Sequence, residues 1–275
     1  MKIRNAVWVG LLAAALSGPS WAVVTGKFAV TLPEKSHQGQ GVEIDIKPFY
    51  GGALGDDVKV TSALQGGTIE FTVPQTTTLT GMVKAYEILD FPFLFKNAEQ
   101  AEKVLDGPTG QKLMDLLPAQ GLVGLAYWEN GFFNATNSKH PIAKVEDFKG
   151  LKFRSIQARI TQETIKALGA NPVPLAVPEL YTALETRTID GQGTPNAVIA
   201  ALKLYEVQKY LSITRHSYGA FIPLASKKFW DHLTPVQHNF LQDASVEARS
   251  YLRQVAREQA EVARKILADM GLQVI

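Results

Sequence analysis

Cysteine is absent from this chain of 275 residues. That excludes a disulfide framework, a thiolate metal site and the lipidated cysteine that would tether a bacterial lipoprotein. Nor is there an apolar run of the ~20 residues that a membrane-spanning helix needs; the stretch 6–16 is too short. Charge of one sign is not in excess, with 28 basic against 26 acidic side chains. Without basic runs the chain has no electrostatic footprint for nucleic acid, whose binding rests on phosphate neutralisation. Low-complexity stretches and repeats are missing as well. So are the spacings that deliver chemistry. The histidines His37, His140, His216, His232 and His238 form no zinc-helix pattern, and no serine sits in a glycine-flanked nucleophile elbow. Neither a metal nor a cofactor is expected, and the sequence does not read as an enzyme.

What is present begins with an export signal. Lys2 and Arg4 precede the apolar stretch 6–16, and Ser20-Trp21-Ala22 gives a small-x-small cleavage pattern, so residues 1–22 read as a signal peptide. Its removal takes two basic residues and no acid, which leaves the mature chain balanced in charge. With 46% hydrophobic residues the remainder has material for a substantial core.

Short β-branched or aromatic runs alternate with helical ones, the order of an α/β fold with a largely parallel sheet. Strands are expected at 27–32, 42–48 and 68–73, helices at 56–64, 98–105 and 110–117, and a further apolar run at 121–127. A second series follows: strands at 151–154, 173–175 and 188–190, with helices at 161–168, 179–186 and 197–207. Two series in one modest chain suggest two lobes. Thr234-Pro235-Val236-Gln237 carries a capping hydroxyl, a proline at the first helical position and a glutamine reaching back, the marks of a helix start. From 246 to 270 apolar residues recur at three- and four-residue steps, which predicts one long amphipathic helix ending at Gly271. Arg249, Arg253, Arg257, Glu261 and Arg264 fall between them and read as a solvated face. Gly191-Gln192-Gly193 lacks a third glycine and a phosphate-binding lysine, and reads as a turn. The sequon Asn134-Ala135-Thr136 would accept a glycan only in a eukaryotic secretory pathway.

One residue stands out physically. In Leu151-Lys152-Phe153-Arg154 the alternation sends Arg154 to the face opposite Phe153, at the carboxyl end of an expected strand. Ligands of open α/β sheets bind there, and a guanidinium can grip a carboxylate through two parallel hydrogen bonds. A surface salt bridge is the competing reading.

Several ordered motifs then carry a resemblance. They include Leu89-Asp90-Phe91-Pro92-Phe93-Leu94-Phe95, Ala126-Tyr127-Trp128-Glu129-Asn130-Gly131, Thr136-Asn137-Ser138, the run from Glu146 to Arg154, Ala167-Leu168-Gly169-Ala170-Asn171-Pro172, Asp190-Gly191-Gln192 and Tyr205-Glu206-Val207-Gln208-Lys209-Tyr210. Together they resemble the solute receptors of tripartite ATP-independent periplasmic (TRAP) transporters, the dicarboxylate-receptor (DctP-type) family. The resemblance implies a two-lobed periplasmic-binding-protein fold, with a ligand cleft between the lobes and the long helix bracing both. Lobe I would take residues 23–127 and 213–245, lobe II residues 128–212, and the bracing helix with the C-terminal end residues 246–275. It further implies a periplasmic, monomeric protein. Such a protein would bind a small carboxylate by hinge closure and pass it to the small and large integral-membrane subunits. Arg154 matches the family's carboxylate-binding arginine, and Gln157, Phe133, Thr194 and Trp128 would line the ligand.

The departures from the family pattern are specific. Phe133 stands where the family often carries a second arginine, and Gly193-Thr194 stands where it reads Glu-Asn. The expected ligand is therefore a monocarboxylate with an apolar or aromatic body, unless Phe133 simply packs in the core. The stretch 33–41 is too short and glycine-rich for the family's first helix, and the chain ends soon after Gly271 where relatives run on. Two other readings stay open: a sensory or scaffold protein on the same fold, and a shortened receptor with impaired binding.

Overall fold

The computed structural model describes Ile44, residues 46–49 and residues 52–275. The signal peptide, the strand expected at 27–32 and the stretch 33–41 lie outside the described residues, and the strand expected at 42–48 lies partly outside them. In chain order the elements are α1 (Asp57–Gly66), β1 (Phe71–Thr72), 3-10 helices at Thr76–Gly81 and Lys84–Asp90, α2 (Ala98–Leu105), α3 (Pro108–Met114), β2 (Leu122–Gly124) and β3 (Trp128–Asn137). Then come β4 (Lys152–Ser155), α4 (Arg159–Ala167), β5 (Asn171–Pro174), α5 (Leu180–Glu185), β6 (Gly191–Thr194) and α6 (Asn196–Ala201). The chain ends with β7 (Tyr210–Phe221), β8 (Leu224–Ser226), the single turn α7 (Lys227–Trp230), α8 (Pro235–Asp269) and β9 (Gln273–Val274). No helix among the described residues is long and apolar enough to cross a membrane.

Local chemistry sets the helix ends. The Asp56 carboxylate accepts the Lys59 amide at 2.9 Å to open α1, and Gly67, at φ 78°, closes it in the left-handed conformation. At the start of α8, Thr234 and Gln237 cap each other. The Thr234 amide donates to Gln237 Oε1 at 2.8 Å, and the Gln237 amide donates to Thr234 Oγ1 at 3.3 Å. The helix start expected at 234 and the long helix expected from 246 are one element of 35 residues, because the linking His238–Ser245 stretch contains neither glycine nor proline. It ends at Asp269, and Gly271 follows at a φ of 98°, in the region that favours glycine.

Two compact units emerge. The first takes the described residues up to Pro74, Leu105–Trp128 and Phe221–Arg253; the second takes Gln75–Val104, Glu129–Ala220 and Gln254–Ile275. These bounds differ from the lobes expected from the sequence. Residues 75–104 belong to the second unit, and the chain leaves that unit after Ala220, near the end of β7, and not at 212/213.

In the first unit β1, β8 and β2 form an antiparallel sheet in the order β1-β8-β2, with Phe71 and Val123 both opposite Ala225. Ile44, Ile46, Phe71, Ala225 and Leu241 make its core, and Phe229 meets the Phe71 ring edge-on at 5.2 Å. Asp106 receives Arg253 through both guanidinium nitrogens at 2.7 and 2.9 Å, and Arg249 at 3.0 Å. In the second unit, Arg257 joins Glu102 at 2.9 Å and Glu129 at 3.0 Å. Three of the arginines read as a solvated face are therefore engaged. Periodicity identifies the polar side of a helix but not the carboxylates other segments bring to it.

The second unit has a six-stranded sheet in the order β5-β4-β6-β3-β7-β9. β4 runs parallel to β5 and β6, β7 parallel to β9, and β3 antiparallel to β6. The sheet is thus mixed where a largely parallel one was expected, because the long strand β3 enters against the βαβ units. Phe153, Ala135, Ile142, Phe148, Leu151, Ile165 and Ala170 form one core cluster, and Leu180, Leu184, Ile189, Ile199, Leu204, Leu211, Leu267 and Leu272 another. The strand expected at 188–190 begins only at Gly191, so Gly191-Gln192-Gly193 is strand and not turn. A Cβ on Gly191 would fall 2.4 Å from the Thr136 carbonyl oxygen, and one on Gly193 would fall 2.8 Å from His216 Nε2. The glycines serve close approach. The helix expected at 197–207 stops at Ala201; Lys203 takes a positive φ of 53°, and a 3-10 turn follows.

Candidate functional site

The carboxyl ends of β4, β5 and β6 lie side by side in the second unit, where open α/β sheets bind ligands. Arg154 pairs with Val173 across β4 and β5 and is 7% exposed. Its Nε donates to the Leu175 carbonyl oxygen at 3.0 Å, just past the end of β5. Phe153 is paired with Gly191, so alternation places Arg154 on the same sheet face as Gln192 and Thr194. Gln192 is fully buried; its Nε2 donates to Thr136 Oγ1 at 2.9 Å, while its Oε1 has no partner among the described residues. The buried Ser155 Oγ also lacks one. Buried polar atoms left unpaired cost stability, and they concentrate where a ligand or water completes them.

β3 supplies the neighbouring wall. Asn134 lies opposite Thr194. Its amide donates to Asn196 Oδ1 at 2.9 Å, and its Oδ1 accepts the Arg215 amide at 3.1 Å. The sequon asparagine is therefore buried and committed to internal hydrogen bonds. Asn196 opens α6 and donates in turn to the Ala260 carbonyl at 3.4 Å.

Of the residues singled out in the sequence, Arg154 and Thr194 share a sheet face, and both are buried. Phe133 lies on the other face, one residue from Asn134. A Cβ on Gly219 would fall 2.6 Å from its ring, and its ring stands edge-on to His216 at 6.4 Å. This is the packing alternative for Phe133. Gln157 is exposed in the bend between β4 and α4. Trp128 belongs to the first unit, where its indole N–H donates to the Ser245 carbonyl at 2.9 Å and its ring packs with Ala126 and Ala248. Sequence reasoning passed over Ser155, Gln192, Asn196 and His216. The His216 ring lies against Gly193, a contact that nothing in the sequence signalled.

Two titratable groups in this unit are strongly shifted. Packing pushes the His216 imidazole down to about 4. Burial pushes the Asp90 carboxyl up from 3.8 to about 7, partly offset by the Thr77 hydroxyl bonded to Oδ1 and reinforced by Glu87. As pH rises the unfolded chain releases the Asp90 proton first. This contribution to stability is therefore complete below about 4, declines by ~1.4 kcal/mol per pH unit up to about 7, and is then lost. Asp90→Asn keeps the oxygen that Thr77 bonds and removes the charge. Its melting temperature should exceed that of the wild type at pH 8 by an amount that shrinks steadily toward pH 4. A difference independent of pH would rule out the shifted carboxyl.

The chain is similar to several known proteins. The model of the family described as DctP, bacterial extracellular solute-binding protein, family 7, matches residues 21–275. The chain is 37% identical over 233 residues to the 2,3-diketo-L-gulonate-binding periplasmic protein YiaO of Escherichia coli, covering 85% of this chain and 71% of that one. A crystal structure of a TRAP periplasmic solute-binding protein from Ochrobactrum anthropi, whose C-terminus occupies its ligand-binding pocket, is 51% identical with a TM-score of 0.77, over 86% of this chain and 74% of that one. The sugar-acid-binding protein of Advenella mimigardefordensis, solved with galactonate, is 39% identical with a TM-score of 0.84, over 90% and 84% of the two chains.

Proposed function

Because the chain belongs to the bacterial extracellular solute-binding proteins of family 7, the DctP family, we infer that it is a periplasmic receptor that binds a hydroxylated monocarboxylate of the sugar-acid type and hands it to the membrane subunits of a TRAP transporter. The carrying observation is Arg154, a buried guanidinium at the carboxyl end of a parallel strand, on the same sheet face as the unpartnered Oε1 of Gln192. The arginine provides for one carboxylate. Phe133, at the position the resemblance gives to a second arginine, packs against Gly219 and His216, so it offers the ligand no second cation. A buried acceptor on the cation's face suits a hydroxyl group instead, and the YiaO and Advenella relatives are named for sugar acids. The receptor binds and releases its ligand without converting it.

Titration calorimetry of the chain from Val23 onward tests this reading. D-galactonate and 2,3-diketo-L-gulonate are expected to bind at one per chain, and succinate at least about tenfold more weakly, because its second carboxylate finds no cation. Succinate binding as tightly as the sugar acids would refute the monocarboxylate assignment.

A further inference from the structure

Strand β7 carries an exposed cation that no carboxylate meets. Arg215 has no ion pair among the described residues, and its guanidinium has no hydrogen bond there. It is nevertheless held in place. Its backbone takes a φ of 44°, in the left-handed region that side chains rarely enter, and its amide donates to Asn134 Oδ1 at 3.1 Å. The guanidinium carbon lies over the Phe132 ring, 4.1 Å from its centre, a stacking that leaves the in-plane N–H groups free to donate. This cation belongs to the face that carries Arg154. Phe132 alternates onto the face of Asn134, which lies opposite Thr194, whereas the next residue after Arg215, His216, turns its ring to Gly193 on the other face. Because β3 runs antiparallel to β6, Phe132 stands two residues beyond Thr194, past the carboxyl end of β6. The strand order puts β3 two places from β4, and the Arg154 Nε leans the opposite way, to the Leu175 carbonyl beyond β5. At ~4.8 Å per strand the two guanidinium groups stand roughly 10–14 Å apart.

We propose that Arg215 is a specificity-determining residue of this same site that selects the acid by length, donating to the oxygens at the far end of a ligand whose carboxylate is held at Arg154; this rests on the sugar-acid reading above. A hexonate carries hydroxyl groups along a chain long enough to span that separation. A shorter acid, such as erythronate or succinate, is held at Arg154 alone. Stacking on Phe132 and the bond from Asn134 fix the arginine before a ligand arrives, so little ordering is left to oppose the new hydrogen bonds. A site built to donate to the far-end oxygens discriminates against the acid that lacks them.

The test pairs three proteins (wild type, Arg215→Ala and Phe132→Leu) with D-galactonate and the shorter D-erythronate, by calorimetry. Arg215→Ala should bind D-galactonate at least roughly tenfold more weakly, the loss of a hydrogen bond from a charged donor, and should bind D-erythronate as the wild type does. Phe132→Leu, which keeps the charge and removes the ring beneath it, should show a smaller loss confined to the same acid. Ligand-free melting curves report whether each variant folds. Equal weakening toward both acids, or none toward either, overturns the assignment of Arg215 while leaving the receptor reading intact. Unchanged acid binding by Arg215→Ala, with uptake lost in cells that carry the membrane subunits, would overturn it in favour of a docking contact. A wild-type chain that binds neither acid overturns both the assignment and the sugar-acid reading.

Discussion

Replacing Arg154 by alanine should weaken binding of the preferred acid about 30- to 5,000-fold, the equivalent of ~2–5 kcal/mol for removing one partner of a desolvated charge pair. The loss follows from where the guanidinium sits. It is nearly buried, on the sheet face it shares with Gln192 and Thr194, and its Nε is fixed by the Leu175 carbonyl, so its orientation is set before a ligand arrives. Arg154→Lys should recover only a small part, because an ammonium cannot form the two parallel hydrogen bonds of the fork and has no group to replace Nε at Leu175. Both variants also strip the Leu175 oxygen of a donor, which costs ~1–3 kcal/mol of stability. The ligand-free melting temperature therefore has to be measured beside the affinity. A folded Arg154→Ala protein that binds as the wild type does would remove the anchor from the site.

Arg154 was legible in the sequence because strand alternation and the carboxyl-end rule act over four residues. Helix α8 was legible for a similar reason, since capping and periodicity are local. What surrounds Arg154 was not. Strand β3 reads poorly as a strand, with Asn130, Gly131, Asn134 and Asn137 in ten residues, types that strands disfavour. At Asn134 it is held by partners distant in sequence, the Asn196 side chain and the Arg215 amide. Tertiary hydrogen bonds override propensity there. The same holds for β6, whose two glycines look like a turn until the Thr136 carbonyl and the His216 ring are seen against them. The family pattern pointed to positions 133 and 194 as departures, but only the packing shows that the aromatic ring at 133 meets Gly219 and His216.

Asp106→Ala should lower stability by ~3–5 kcal/mol, the range for breaking a buried ion pair by removing one side. Arg253 and Arg249 stand four residues apart on α8, and the Asp106 carboxylate lies between them, taking Arg253 through both oxygens and Arg249 through one. The Arg253 side chain is only 8% exposed, so water cannot replace the lost carboxylate, and the two guanidinium groups are left as like charges one helical turn apart. A fall in melting temperature of roughly 6–20 °C is expected for a chain of this size, while Asp106→Asn, which keeps an acceptor and loses the charge, should fall between. Exposed ion pairs elsewhere, such as Lys166 with Glu163 at 55% and 54% exposure, should change stability by no more than ~0.5 kcal/mol when broken. The decisive comparison is the double variant Asp106→Leu with Arg253→Met. If the penalty of Asp106→Ala comes from a stranded charge, the apolar pair should recover most of it, whereas an equal or larger loss in the double variant would mean that the carboxylate holds α8 through geometry that apolar packing cannot supply.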